Sequence, residues 1–232
     1  MPSNMMEALE LLTYFSSHKG ENMTNNKKPL IIGVSGPSAS GKSLLVENII
    51  KSLPENTDVA IMSEDSYYND RSDLSLEERN DLNYDHPSAF EHDLMEKQIK
   101  ELCDGNCIDI PCYDFTTHLR TKTTTKVNPG QVILIDGILI LAVPEIRRLL
   151  DIAIFMDTPL DICLIRRLKR DQEERHRDIN LILEQYQKTV RPMYWQFVSP
   201  SKEFANLIVP GGGENWTAIE LIKNSIESKF GQ

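Results

Sequence analysis

The chain has 232 residues and a mass of 26.5 kDa, which suits one α/β domain with insertions and a sizeable core. Its formal charge of -10, from 25 Lys and Arg against 35 Asp and Glu, gives a surface that repels nucleic acids and anionic membranes, so we expect neither as a partner. The four cysteines form no C-x-x-C pair and no apolar run reaches the length of a membrane span, which is typical of a cytoplasmic protein.

The first 28 residues differ in composition from the rest of the chain. They form a polar extension whose few apolar residues are interrupted by Glu7 and Glu10 and follow no basic segment, which argues against a signal or transit peptide. We therefore divide the chain into an extension, 1–28, and one folded domain, 29–232.

Predicted strands alternate with predicted helices along this domain. Apolar runs predict strands at 30–35, 58–62, 132–135, 152–156 and 207–209, and a hairpin formed by 108–113 and 121–127. Helices are predicted at 44–53, from a capping box at 88–91 to about 102, from a second capping box at 158–161, over about 178–198, and from Asn215 onward. The alternation indicates an α/β fold, a parallel sheet with helices on both faces, in which ligands bind at the carboxyl ends of the strands.

A glycine-rich loop joins the first strand to the first helix. It has the pattern G-x-x-x-x-G-K-S and consists of Gly36, Pro37, Ser38, Ala39, Ser40, Gly41, Lys42 and Ser43. The backbone N–H groups of such a loop surround a β-phosphate, and the helix that follows adds its partial positive charge. Lys42 would contact the β- and γ-phosphates and the Ser43 hydroxyl would bind Mg²⁺, so the sequence predicts a nucleoside triphosphate site.

Two aspartates follow predicted strands at the edge where ligands bind. Asp136 ends an apolar strand, where enzymes with this loop place a second carboxylate directed at Mg²⁺, and Asp65 is placed to accept the proton of an attacking hydroxyl. The alternative for each is a solvated turn or loop aspartate. A GTPase is disfavoured, because Leu139 occupies the glycine position of D-x-x-G and no N-K-x-D occurs.

Positive charge is concentrated in one stretch of this acidic chain, at Arg166, Arg167, Lys169, Arg170, Arg175 and Arg177. Phosphoryl transfer requires such a cluster, because the transferring group carries negative charge. The alternative is a solvated helix face whose cations pair with Asp171, Glu173 and Glu174. We favour a lid that closes over the phosphates, because P-loop kinases carry a closing lid at the corresponding place in the chain.

Beyond the glycine-rich loop, the chain resembles the uridine/cytidine kinases of the P-loop phosphoribulokinase/uridine kinase family. The matching blocks extend in order from 29 to 230, and they are 63–68, 83–90, 111–115 with His118, 157–161, 166–171 and 185–192. The resemblance implies a three-layer P-loop fold with an inserted β-hairpin and a helical lid. It also implies transfer of the γ-phosphoryl group of ATP to the 5′-hydroxyl of uridine or cytidine, as in pyrimidine salvage, and a homotetramer.

The resemblance also implies roles for individual residues. Asp65 is the catalytic base, Asp85 holds the ribose hydroxyls, Tyr113 and His118 read the pyrimidine, Arg167, Arg177 and Gln185 complete the nucleoside site, and Arg170 and Arg175 face the phosphates. A carboxylate suits a vicinal diol, and an aromatic ring with an imidazole suits a flat polar base. Without the resemblance, His118 is an ordinary surface histidine and Tyr113 a half-buried strand aromatic.

Three positions depart from the pattern of these kinases. Asp136 replaces the usual glutamate, His176 replaces a glycine in the lid, and Gly211 replaces an arginine in a loop that lines the adenine. Glu214 remains a candidate contact to the nucleotide, and we expect GTP to be accepted beside ATP. The competing interpretations are a phosphoribulokinase- or pantothenate kinase-like activity, and a nucleotide-binding regulator without turnover.

Overall fold

The structure of the chain, a computed structural model, describes residues 28–231. The extension predicted at 1–28 lies outside the described residues except for Lys28. The strands are β1 (Leu30–Ser35), β2 (Val59–Ser63), β3 (Ile108–Asp114), β4 (Leu119–Val127), β5 (Val132–Asp136), β6 (Ile152–Asp157) and β7 (Leu207–Pro210). The helices are α1 (Lys42–Ser52), α2 (Leu76–Asn80), α3 (His92–Cys103), α4 (Pro144–Arg147), α5 (Leu160–Glu173), α6 (Ile179–Gln185) and α7 (Trp216–Phe230).

Five of the strands form a parallel sheet in the order β2-β5-β1-β6-β7. Leu30 pairs with Val132 in β5, and Ile32 pairs with Ile152 in β6, so β1 lies at the centre of the sheet. All six residues of β1 are buried, which is expected for a central strand covered on both faces. The predicted α/β fold is confirmed.

Each face of the sheet carries its own hydrophobic cluster. On one face α1 and α7 pack through residues such as Leu45, Ile49 and Ile222. On the other face lie α3, α4 and the antiparallel hairpin β3–β4, with Met95 and Ile99 among the buried residues. Helices on both faces leave the carboxyl ends of the strands as the open edge of the sheet.

The helical segment after α6 is not regular, although the sequence predicts one helix over about 178–198. It contains two π-helical stretches, Tyr186–Val190 and Tyr194–Val198, and each is followed by a short α-helical turn with proline at its second residue. Those residues are Pro192 and Pro200, which lack the N–H group that an α-helix needs. The wider π turns accommodate the prolines without ending the helix.

Both predicted capping boxes are wrong. The turn Pro87–Ala89 is a 3₁₀ turn and α3 begins only at His92, where no side chain caps the helix. In front of α5, the Thr158 hydroxyl donates to the Ser40 carbonyl at 2.9 Å instead of capping the helix. Only the cap at α7 is confirmed, where Asn215 accepts a hydrogen bond from the Ala218 N–H at 3.1 Å.

Candidate active site

A cavity of about 370 Å³ opens at the carboxyl ends of β1, β2 and β5. Its size lies within the range usual for small-molecule sites. The predicted site residues that line it are Ser38, Ala39, Gly41, Lys42, Ser43, Asp65, Asp85, Tyr113, His118, Asp136, Arg167, Arg170, Arg175, Arg177 and Gln185. The structure thus brings together residues from seven separate parts of the chain.

The glycine-rich loop forms one end of the cavity. The Lys42 ammonium donates to the carbonyls of Gly36 and Pro37, at 3.1 and 3.0 Å, which folds the loop around this side chain. Burial lowers the pKa of Lys42 below its usual value, although the carboxylate of Asp136 acts in the opposite direction. Gly41 has a φ of 99° and touches Gly213 closely, because an added Cβ would lie 2.8 Å from the Gly213 nitrogen. The loop after β7 therefore lies directly beside the glycine-rich loop.

The end of β5 contributes a carboxylate next to this loop. The Ser43 hydroxyl donates to Oδ2 of Asp136 at 2.8 Å, and Asp136 is only 9% exposed. Burial raises the pKa of Asp136, while the hydrogen bond from Ser43 and the charge of Lys42 lower it. Two oxygen donors at the phosphate end of a cavity suit Mg²⁺, which keeps waters and substrate phosphates as its other ligands.

A 3₁₀ turn, Glu64–Tyr67, follows β2 and carries Asp65 into the cavity. Its first residue, Glu64, is fully buried, accepts a hydrogen bond from the Leu139 N–H at 2.9 Å and lies 2.8 Å from Nε2 of His92. Glu64 thereby ties the turn to the segment after β5, and sequence analysis missed this role. No local pattern in the sequence indicates this role, because the Leu139 N–H and the His92 ring that contact Glu64 lie far away in the chain.

Aromatic side chains form the opposite end of the cavity. His118 has a φ of 54° and stacks on Tyr84, with ring centroids 4.7 Å apart and planes 15° apart. Burial, together with Arg177 and Arg175, lowers the pKa of His118 to about 4, so its imidazole is neutral at pH 7. The hydroxyls of Tyr84 and Tyr113 interact with each other, and burial raises the pKa of both. Phenol hydroxyls beside ring faces can also donate to and accept from a flat polar ligand.

Between the two ends lie Asp85 and a hydrogen-bonded group of three other polar side chains. Asp85 is 7% exposed, and burial raises its pKa although Arg167 acts in the opposite direction. Oε1 of Gln185 accepts hydrogen bonds from Arg167 at 3.1 Å and from Arg177 at 2.8 Å. The predicted nucleoside residues are therefore neighbours in space.

Four predicted residues do not line this cavity. Gly36 and Pro37 contribute carbonyls to Lys42, Ser40 is fully buried with an unpartnered hydroxyl, and Glu214 is exposed in the loop after β7. Arg166, which the sequence places in the basic cluster, also lines the cavity. Sequence analysis assigned no site role to several other lining residues, namely Leu44, Ser63, Tyr68, Tyr84, Phe115, Gly137, Ile138 and Glu174.

Comparison with known proteins accords with this geometry. The chain matches the Phosphoribulokinase / Uridine kinase family over residues 31–218. The chain belongs to this family. A protein of Vibrio atlanticus named uridine kinase is 48% identical over 207 residues, covering 88% of this chain and 97% of that protein. One of Vibrio campbellii with the same name is 49% identical over the same length and coverage.

The fold is also similar to that of a protein of known structure. The phosphoribulokinase from Rhodobacter spheroides superposes with a TM-score of 0.59 and 16% identity, covering 81% of this chain and 73% of that protein. No helix within residues 28–231 is long and apolar enough to cross a membrane.

Proposed function

We propose that this kinase transfers the γ-phosphoryl group of ATP to the 5′-hydroxyl of uridine, and of cytidine, giving UMP and CMP. One observation carries the proposal: a single cavity joins a phosphate-binding loop at one end to a neutral histidine stacked on a tyrosine at the other. Relatives named uridine kinase, near 48% identity and of nearly the same length, support the same substrate. A phosphoribulokinase- or pantothenate kinase-like activity has no comparable support, because neither a sugar phosphate nor pantothenate offers a flat base for the aromatic end.

In this proposal the nucleoside lies between Asp85 and the aromatic end. Asp85 accepts hydrogen bonds from the ribose hydroxyls, since its carboxylate is buried and faces the cavity. Tyr113 and His118 bind the base edge, and a neutral imidazole offers one donor and one acceptor nitrogen. Arg167, Arg177 and Gln185 close the site around the nucleoside.

The reaction then needs a base, a charge clamp and an aligned acceptor. Asp65 takes the proton of the 5′-hydroxyl. At the same time the 5′-oxygen forms a bond to the γ-phosphorus, and the bond between that phosphorus and the bridging oxygen of ADP breaks. Lys42, Arg170 and Arg175 stabilise the negative charge on the transferring group. Burial and the neighbouring Arg170 lower the pKa of Arg175 to about 10, so the guanidinium is still charged at neutral pH.

Ser43 and Asp136 would hold Mg²⁺ bound with the triphosphate. Such an ion supplies electrostatic stabilisation of the phosphate oxygens. Asp136 is one methylene shorter than the glutamate usual in the family, and its contact with Ser43 places both oxygens on the same side of the glycine-rich loop.

The proposal extends to the location, phosphoryl donor and assembly of the enzyme. We propose a cytoplasmic salvage enzyme that uses ATP, with GTP as an alternative donor, and that assembles as a homo-oligomer, a tetramer by family resemblance. Its catalytic domain would be 29–232, and 1–28 would be an extension outside the catalytic fold. Glu214 would contact the nucleotide only if the loop after β7 moves inward, since its side chain is exposed.

A nucleoside panel tests the function directly. ATP and Mg²⁺ are supplied with each of the common ribonucleosides, with ribulose 5-phosphate and with pantothenate, and 5′-monophosphate formation is measured. Turnover of uridine and cytidine alone is expected, whereas turnover of ribulose 5-phosphate or pantothenate, or none at all, would overturn the proposal.

Two variants then test the chemistry. Lys42→Ala is expected to lower kcat by roughly three orders of magnitude, and Asp65→Asn to lose most of kcat while uridine binding persists. Lys51→Ala is the matched control, because Lys51 lies on the same helix, α1, and forms an exposed ion pair with Glu47 at 3.6 Å. Normal turnover by Asp65→Asn would assign the base role to another residue.

A further inference from the structure

One carboxylate lies at the centre of the arginine cluster. Asp171 is fully buried in α5, and four guanidinium groups lie within 4 Å of its two oxygens. Burial by itself would raise the pKa of Asp171, but Arg170, Arg167 and Arg175 together hold it below the usual value. Asp171 is therefore ionised at neutral pH. It does not line the cavity itself, and its charge acts there through the arginines that do.

The two oxygens of Asp171 serve different arginines. Oδ1 lies 2.8 Å from Nη2 of Arg170 and 3.7 Å from Nη1 of Arg175. Oδ2 lies 3.5 Å from Nη1 of Arg177 and 3.7 Å from Nε of Arg167. The first pair faces the phosphate half of the proposed site and the second pair the nucleoside half, so one carboxylate connects the two halves.

We propose that Asp171 is a positioning residue that holds these four arginines in place before any triphosphate binds. The nucleoside half of the site is then already formed when no triphosphate is present. The inference rests on the proposed function, which assigns Arg167 and Arg177 to the nucleoside and Arg170 and Arg175 to the phosphates.

Electrostatics gives the reason. Four buried or half-buried guanidinium groups this close together repel each other strongly. Removal of the Asp171 carboxylate leaves their positive charges without a neutralising anion. Without Asp171, the cluster spreads toward solvent and draws Arg167 and Arg177 away from Gln185. A bound triphosphate supplies negative charge beside Arg170 and Arg175, so it restores the arrangement in part. Loss of Asp171 thus makes nucleoside binding depend on the nucleotide, which is a coupling between two sites.

The test is a pair of calorimetric titrations of uridine into the full chain, one without nucleotide and one with a saturating non-hydrolysable ATP analogue and Mg²⁺. Wild type is expected to bind uridine in both, with Kd values within about threefold of each other. Asp171→Asn is expected to bind uridine about tenfold more weakly without the analogue and to recover most of that loss with it. Glu173→Gln, an exposed neighbour on the same helix, is expected to match wild type in both.

Each other outcome overturns the inference. Equal weakening of Asp171→Asn in both titrations would mean a general structural role, and no weakening would mean no role at all. Wild-type uridine binding that itself requires the analogue would overturn the inference even if Asp171→Asn does not fold. Absence of uridine binding by wild type in both titrations would instead overturn the proposed function, and the inference with it.

Discussion

The Ser43 hydroxyl donates a hydrogen bond to Oδ2 of Asp136 across 2.8 Å, joining the first turn of α1 to the end of β5. The two residues are 93 positions apart in sequence. Their oxygens lie side by side because β1, which precedes α1, pairs in parallel register with β5, so that Val34 lies opposite Asp136. Parallel pairing thus places a hydroxyl and a carboxylate at one strand edge, where a hard cation can be shared with a phosphate.

Asp136→Asn is expected to raise the Mg²⁺ concentration needed for half-maximal turnover by roughly tenfold, because the amide keeps an oxygen for Ser43 but removes the charge. The measurement is the initial rate against Mg²⁺ at saturating uridine. Asp157→Asn is the control, since Asp157 also ends a strand of the sheet but pairs with Lys202 at 2.7 Å. An unchanged Mg²⁺ requirement would exclude Asp136 as a ligand.

Asp85→Asn is expected to raise the KM for uridine by roughly tenfold or more, because the amide removes the charge from the acceptor of the ribose hydroxyls. The wild-type enzyme is expected to use 2′-deoxyuridine poorly, because that nucleoside lacks one of the two donors to Asp85. Steady-state kinetics with both nucleosides measure this. Asp81→Asn is the control in the same segment, since Asp81 is exposed and pairs with Lys188 at 3.3 Å. Efficient use of 2′-deoxyuridine would contradict the ribose role.

Asp85→Asn weakens substrate binding but is expected to stabilise the fold at neutral pH. Burial raises the pKa of Asp85 in the folded protein, so the folded state binds this proton more tightly than the unfolded chain does. Ionisation therefore costs stability, and the stability of wild type relative to Asp85→Asn falls as pH rises from the ordinary Asp pKa through the raised one. Thermal unfolding of both proteins at acid and neutral pH checks the sign.

His118 gives a pH dependence of the opposite sign. The pKa of His118 in the folded protein, about 4, lies below the ordinary histidine value of 6.5, so between these pH values the folded protein binds fewer protons than the unfolded chain does. Wild type is therefore expected to lose stability relative to His118→Gln as pH falls from 6.5 to about 4. Thermal unfolding across this range measures the effect, with His176→Gln as the control. Parallel pH curves for wild type and His118→Gln would show that His118 titrates normally.

Gly211→Arg is expected to lower the KM for ATP while kcat changes little, since an arginine stacked on a purine contributes about 0.5–2 kcal/mol to ground and transition state alike. Wild type is expected to accept GTP as donor. An added Cβ at Gly211 meets nothing within 4 Å, so the side chain has room, although the φ of 83° strains any residue other than glycine.

Gly105→Arg is the control for that strain, because Gly105 has a φ of 82° and equally open surroundings at the end of α3. The measurement compares kcat/KM for ATP and GTP in wild type and both variants. A wild type with a low ATP KM and no use of GTP would show that this loop does not control donor choice. Arg166, whose guanidinium lies 3.1 Å from a Cβ built at Gly212, would then be the arginine to test beside the adenine.

Much of this protein is determined by local patterns in its sequence. The apolar run at β1, the loop from Gly36 to Ser43 and the helical spacing of α1 each have one stable local form, because buried strands, phosphate loops and amphipathic helices are set by short-range sterics and periodicity. The Asn215 cap was predicted for the same reason: its partner, the Ala218 N–H, is three residues away. The family resemblance supplied the candidate residues that no local pattern could group.

Tertiary structure decided the groups whose partners lie far away in the chain. Thr158 matches a cap by spacing, yet the Ser40 carbonyl, 118 positions away, is its partner. The sequence offers Asp171 only as an alternative partner for nearby cations. In the fold, four arginines from α5 and from the segment after it surround this one carboxylate. Spacing encodes contacts within one helical turn, whereas burial and charge compensation depend on which segments the folded sheet brings together.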